Sequence, residues 1–129
     1  MLRWFEKHNK IPWVITFLTA IFIFYMSSKV FEVSSVVVVS WLSIVYHISV
    51  FAFLNFFLLI SAKKGKNNHL VFVVSLLLVL AYGILDELHQ FFVPGRTCTI
   101  VDFGYDSFGI LISSMFYFIL LNRNPKPNF

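Results

Sequence analysis

The chain has 129 residues, of which 59% are hydrophobic and only 12% are charged. Soluble domains usually have about a quarter of their residues charged, so this composition excludes a soluble monomer. An aromatic content of 19% also excludes a disordered chain. The net charge of +4 comes from positive residues in short segments between apolar runs, so it predicts membrane orientation rather than nucleic-acid binding.

Four apolar segments are long enough to cross a bilayer, which takes about 20 residues. They run over about residues 11–28, 40–62, 69–88 and 102–121. Pro12 suits the first turn of the first helix, where its missing N–H is no loss. The β-branched run 36–39 leads into the second segment, and its own conformation is left open. The sequence therefore predicts an all-α integral membrane bundle of four transmembrane helices, with residues 1–129 as a single membrane domain.

Lysine and arginine are distributed unevenly between the two sides that four spans define. Eight lie before the first span, in the 63–68 loop and after the fourth span, whereas the other two loops contribute only Lys29 and Arg96. Positive residues in short loops favour the cytoplasmic side. We therefore expect a multi-pass protein of the cell membrane with cytoplasmic N- and C-termini, and with its 29–39 and 89–101 loops facing outward.

Acidic residues are concentrated in one part of the chain. Of the six, four lie at or near the outer ends of the third and fourth spans: Asp86, Glu87, Asp102 and Asp106. An ionised side chain at the middle of a membrane helix costs roughly 2.5–3.5 kcal/mol, and the cost falls toward the interface. Ionisable residues within membrane spans are functional candidates by default, so this concentration indicates a site.

Helical spacing brings further polar groups to these acids. Gln90 lies four residues after Asp86 and three after Glu87, so it can meet both if the helix continues. Pro94–Gly95 predicts a turn that would fold Arg96 back over the acids. Because successive spans alternate in direction, polar residues at the end of span one and the start of span two share this depth. We predict one polar pocket, open in the outer leaflet, formed by Ser27, Ser28, His47, Asp86, Glu87, Gln90, Arg96, Asp102 and Asp106.

The segment 86–96 reads Asp-Glu-Leu-His-Gln-Phe-Phe-Val-Pro-Gly-Arg, and Asp102, Asp106 and Gly109 follow it. This pattern resembles the signature of the VanZ-like family, which has an acidic pair, a glutamine, Pro-x-Arg and then Asp-x-x-x-Asn/Asp-x-x-Gly. The Ser-Ser pair that ends span one and the histidine of span two also resemble family positions. The resemblance therefore includes positions in all four spans.

The chain departs from the usual family pattern at three positions, with Ile44 for lysine, Phe51 for tyrosine and Asp106 for asparagine. The family is named for a membrane protein that gives low-level resistance to teicoplanin, a lipoglycopeptide antibiotic, and the resemblance implies no settled reaction. We therefore read the chain as a prokaryotic envelope protein and predict that it binds or modifies a lipid-linked ligand at the outer leaflet. The expected partners are membrane lipids, lipid-linked envelope molecules or the antibiotic itself, and a homo-oligomer is left open.

Roles follow from the chemistry of the predicted pocket. In a catalytic site Glu87 or Asp86 would transfer protons, and Arg96 would hold a phosphate or carboxylate. No serine or cysteine stands in a recognisable nucleophile elbow, so a triad hydrolase is disfavoured. We assign catalytic roles to Asp86, Glu87, Gln90, Arg96, Asp102 and Asp106, and ligand-binding roles to His47, Ser27 and Ser28.

Other interpretations of the same residues stay open. The polar residues could form a hydrogen-bonded network that fixes helix packing, or a binding module without chemistry. A proton-coupled transporter would need an oligomer, because four short helices are too few. Carboxylates with glutamine or histidine suit Mg²⁺ or Ca²⁺, but the paired-histidine spacing of a zinc helix is lacking. We therefore assign no metal ligands from the sequence and leave both the cofactor and the existence of a reaction open.

Overall fold

The computed structural model describes residues 2–8, 10–30, 36–63, 68–96 and 99–123. These residues form α1 (Leu2–Lys7), α2 (Lys10–Ser27), α3 (Val36–Lys63), α4 (His69–Phe91) and α5 (Ile100–Arg123), and within these ranges there is no strand. Helices α2 to α5 are long and apolar enough to cross a membrane. The predicted all-α bundle of four transmembrane helices is confirmed, and α1 is a short addition that the hydropathy pattern did not predict.

The helix limits depend on local chemistry. Helix α3 begins at Val36, so the β-branched run 36–39 is helical. The preference of valine for strands depends strongly on context, and here the run continues directly into a long helix. At the start of α4, the side-chain oxygen of Asn68 accepts a hydrogen bond from the Val71 N–H at 3.2 Å. The same helix continues through Gln90, so Asp86 and Gln90 do share one helical face.

Helix α3 packs against all four other helices, and α4 also contacts α2 and α5. Large apolar side chains such as Phe17, Leu77 and Met115 are exposed on the outer surface, as expected of helices surrounded by lipid. The buried faces combine apolar residues, including Ile23 and Phe51, with small polar ones. We call the end where α2 and α4 end and α3 and α5 begin the Pro94 end.

Polar contacts join the helices below the Pro94 end. The Asn55 amide on α3 donates to the Ser113 and Ser114 hydroxyls of α5 at 2.7 and 2.9 Å, and contacts the Ile110 carbonyl oxygen at 3.1 Å. The Tyr82 hydroxyl on α4 donates to the carbonyl oxygen of Ala20 on α2 at 2.7 Å. Such bonds hold helices together where lipid offers no hydrophobic driving force, so they fix the frame that carries the Pro94 end.

Candidate functional site

The first polar cluster joins α2 to α4 and is formed by Ser27, Asp86 and Gln90. The Ser27 hydroxyl donates to Asp86 Oδ1, and the Gln90 side-chain amide donates to Asp86 Oδ2 at 2.9 Å. All three side chains are buried, with Ser27 fully enclosed. Both carboxylate oxygens of Asp86 therefore have a donor, so a burial that would otherwise be costly is compensated by hydrogen bonds.

The second cluster joins α3 to α5 through His47 and Asp106. The Nδ1 atom of His47 lies 2.8 Å from Asp106 Oδ1, and both residues are buried. Gly109 makes this contact reachable, because a methyl group added to Gly109 would lie 2.2 Å from the Ile48 carbonyl oxygen. The two helix backbones touch there, one turn from Asp106 and one residue from His47. The Asp-x-x-Gly spacing therefore places Asp106 one turn from the close helix crossing at Gly109, which brings Asp106 and His47 together.

Glu87 adds a third group to this cluster from α4. One ligand atom from each of His47, Glu87 and Asp106 lies within 4.8 Å of the others. Helix α4 packs against α5 at Gly83, one turn before Glu87, where a Cβ would lie in ordinary contact with Asp106 Oδ2 at 3.5 Å. This Oδ2 atom is buried and has no hydrogen-bond partner among the described residues. The cluster therefore has acceptor capacity beyond its internal contacts.

Asp102 has a different local role from Asp106, four residues later. The Thr99 hydroxyl donates to Asp102 Oδ2 at 2.7 Å and accepts from the Asp102 N–H at 3.2 Å. This reciprocal pair caps the first turn of α5, where the helix dipole also favours a carboxylate. The Thr99 N–H donates to Glu87 Oε2 at 3.2 Å. The cap therefore ties the start of α5 to the cluster.

The predicted turn before Arg96 is present. The Arg96 N–H donates to the Val93 carbonyl oxygen at 3.1 Å, and Gly95 has a φ of 85°. Proline followed by a glycine with positive φ is typical of a type II turn. Arg96 is half-buried, its Nε atom has no hydrogen-bond partner, and it forms no ion pair with a described carboxylate. The predicted turn is therefore confirmed, but no described carboxylate pairs with the guanidinium of Arg96.

Ser28 lies at the edge of the predicted pocket. It is exposed, and its hydroxyl lies 2.8 Å from the Phe24 carbonyl oxygen and 2.9 Å from His89 Nε2. The His89 ring also packs against Phe24, with ring centroids 4.4 Å apart. Ser28 thus lies on the surface of the bundle, outside the buried clusters. The structure brings together Ser27, Asp86 and Gln90 in one cluster and His47, Glu87 and Asp106 in another. Thr99 connects Asp102 to the second cluster, and Arg96 lies on the turn that follows α4.

Tyr46 is a site residue that the sequence did not reveal. Its ring packs edge-on against His47, with centroids 5.5 Å apart, and its buried hydroxyl has no hydrogen-bond partner in the described ranges. It also lines a cavity of about 580 Å³ between α2 and α3, which has mostly apolar walls that include Leu18, Phe22, Val50 and Phe53. The only signal in the sequence is that a tyrosine precedes His47. Tyr46 therefore connects the cavity to the second cluster.

These features define a small multi-pass membrane protein with buried carboxylates and a histidine at one end of its bundle. The family model described as VanZ/LLP1 matches residues 6–121, and the chain belongs to this family. The resemblance in the 86–109 motif is thereby confirmed. No curated protein and no solved structure matches the chain.

Proposed function

We propose that this protein binds a lipid-linked ligand in the outer leaflet and that this binding gives tolerance of teicoplanin. The polar head of the ligand would contact the two clusters at the Pro94 end, and its hydrocarbon chain would lie in the cavity between α2 and α3. The observation that carries the proposal is Tyr46, which lines the apolar cavity and contacts His47 of the polar cluster. A ligand with one polar and one apolar part could contact the polar cluster and the apolar cavity at the same time.

The chemistry of the cavity supports a hydrocarbon occupant. Its walls are almost entirely apolar, and at Ser49 and Thr19 they are formed by small side chains. The Thr19 hydroxyl lies 2.7 Å from the Ile15 carbonyl oxygen of its own helix, so it presents little free polarity to the cavity. Ligand sites generally combine apolar walls with a few placed polar groups, and here Tyr46 supplies a hydroxyl without a hydrogen-bond partner in the described ranges.

The outward direction of the Pro94 end is part of this proposal. It is supported by the uneven distribution of lysine and arginine, eight of which lie on the side that carries the chain termini and the 63–68 loop. An outward site would meet lipid-linked molecules of the outer leaflet. It would also meet an antibiotic that acts from outside.

The single cysteine, Cys98, provides a test of orientation. In intact cells, a membrane-impermeant maleimide should label the natural protein, because residue 98 belongs to the 89–101 loop. The control is a Cys98→Ser protein with Asn67→Cys in the 63–68 loop, which should be labelled only after permeabilisation. Labelling of the Asn67→Cys protein in intact cells would reverse the orientation and contradict an outer-leaflet site.

Retention of a lipid probe tests the binding itself. The purified full-length protein in detergent should retain a polyprenyl phosphate in native mass spectrometry. Ser49→Trp would fill the cavity between α2 and α3 and should weaken retention by about fivefold or more, which corresponds to about 1 kcal/mol. The matched control is Leu77→Trp on the exposed face of α4, which should leave retention unchanged.

Equal retention by both tryptophan variants would show that the probe does not occupy the cavity and would contradict the proposal. A diacylglycerol, which has hydrocarbon chains without a phosphate, should bind less well than the polyprenyl phosphate. If the protein converts the retained probe to a product, the function includes modification as well as binding. In that case Glu87→Gln should stop product formation, because Glu87 is a buried carboxylate that groups with His47 and Asp106.

A further inference from the structure

Three potential metal ligands from three different helices meet below the Pro94 end. His47 on α3, Glu87 on α4 and Asp106 on α5 are 3%, 6% and 0% exposed. One ligand atom from each lies within 4.8 Å of the others. Sequence reasoning placed these three residues in one predicted pocket but assigned no metal ligands, because they are separated by 40 and 19 positions and follow no metal-binding spacing.

Asp106 gives a second indication of a ligand. Its Oδ1 atom pairs with His47, but Oδ2 is enclosed and has no hydrogen-bond partner within the described segments. This oxygen faces α4 beside Gly83, one turn from Glu87. A buried carboxylate oxygen without a donor is costly, whereas a cation beside it would compensate that cost. The unpaired atom therefore faces the helix from which the third ligand comes.

The electrostatics of the cluster also favour a cation. Glu87 and Asp106 bring two carboxylates close together away from water, and like charges at such a distance need a proton or a cation between them. A neutral imidazole with two carboxylates offers one nitrogen and two oxygens. This donor set suits Zn²⁺ or Mn²⁺, since Mg²⁺ and Ca²⁺ prefer oxygen ligands alone.

The frame around the cluster includes one close backbone contact, where Gly109 brings α5 onto α3 at Ile48. Gly83 of α4 lies in ordinary van der Waals contact with the Asp106 side chain of α5. Ligand atoms around a tetrahedral ion stand about 3.4 Å apart. Small side-chain rotations would bring atoms within 4.8 Å to that spacing without moving the helices. The three ligand positions are therefore largely organised before any ion is bound.

We propose that His47, Glu87 and Asp106 bind a divalent transition-metal ion, Zn²⁺ or Mn²⁺, between α3, α4 and α5. The inference goes beyond the proposed function, because the ion would be bound with or without a lipid-linked ligand. If such a ligand carries a phosphate, the ion would also offset the negative charge of the nearby carboxylates, to which a phosphate would otherwise be repelled.

Metal analysis of the purified full-length protein tests this proposal. The protein would carry a tag without histidine and be dialysed in detergent against an equimolar mixture of Mg²⁺, Ca²⁺, Mn²⁺ and Zn²⁺. After removal of free ions, inductively coupled plasma mass spectrometry should find Zn²⁺ or Mn²⁺ equimolar with the chain. His47→Gln and Asp106→Asn should each lower the affinity for that ion by at least about tenfold.

The matched control is Asp102→Asn, which also changes a carboxylate to an amide but lies outside the three ligands. Its amide oxygen can still accept the Thr99 hydroxyl, so its ion content should equal that of the natural protein. Absence of an equimolar ion from the natural protein, or equal content in His47→Gln and Asp102→Asn, would overturn the proposal.

X-ray absorption at the edge of the bound metal identifies the ligand atoms in the natural protein. It therefore tests the proposal even if the ligand variants fail to fold. The natural protein should show a histidine nitrogen at about 2.0–2.1 Å from the ion. A shell of oxygen alone would overturn the assignment. A protein that binds the ion but retains no polyprenyl phosphate would support the metal site and contradict only the proposed function.

Discussion

Alanine at position 109 should lower the thermal stability of the bundle strongly and separate His47 from Asp106. The added methyl group would lie 2.2 Å from the Ile48 carbonyl oxygen and 3.0 Å from its carbon. These are backbone atoms of α3, which cannot rotate away as a side chain can, so α5 must move outward. Overpacking typically costs about 1–3 kcal/mol, and we expect the upper end of that range or more.

Gly104 provides the matched control for this substitution. It lies on the same helix, and a methyl group added to it would meet nothing within 4 Å. Gly104→Ala should be neutral or slightly stabilising, because alanine is favoured over glycine in a helix by roughly 0.5–1 kcal/mol. Thermal unfolding of both variants in the same detergent gives the comparison. Equal melting temperatures would contradict the close crossing of α3 and α5 at Gly109.

Much of the fold could be predicted, because hydropathy directly indicates which segments form membrane-spanning helices. Twenty apolar residues in a row require a helix in lipid, so four spans follow from the sequence. The limits of the helices were harder to predict, because polar residues near the interface satisfy helix ends as readily as loops. Thr99, for example, lies in the predicted 89–101 loop, yet with Asp102 it caps α5, which begins at Ile100.

The candidate site could be predicted only where one helix or one turn determines it. The four-residue spacing of Asp86 and Gln90 predicted that the two side chains can meet, and they form a hydrogen bond. Pro94–Gly95 likewise predicted the turn, in which Gly95 has a positive φ. Asp102 and Asp106 have the same four-residue spacing, but their roles differ. The first lies where free N–H groups need a cap, whereas the second lies one turn deeper and faces another helix.

The sequence alone could not predict which side chains pair between helices. The pairing of His47 with Asp106 depends on how deeply α3 and α5 approach, which Gly109 decides through backbone contact. Likewise, Tyr46 connects the cavity to the polar cluster only because of the rotation of α3. Helical periodicity gives the faces of a helix but not the neighbour that each face meets.

Loss of the Glu87 carboxylate should remove teicoplanin tolerance while the protein remains in the membrane. Glu87→Gln keeps the size of the side chain and an oxygen that can accept the Thr99 N–H, so we expect the fold to persist. It removes the carboxylate, and with it the capacity for a negative charge, that α4 places near His47 and Asp106. If the cluster binds the ligand, this charge matters more than the shape of the side chain.

The most direct measurement is teicoplanin susceptibility in a sensitive Gram-positive host at matched membrane expression. It would compare an empty vector, the natural protein, Glu87→Gln, and the control Glu6→Gln, which makes the same change on α1. Tolerance from the natural protein and Glu6→Gln, with Glu87→Gln equal to the empty vector, is the result we predict. Equal tolerance from Glu87→Gln and the natural protein, or no tolerance from either, would contradict a ligand-binding role for the cluster in this phenotype.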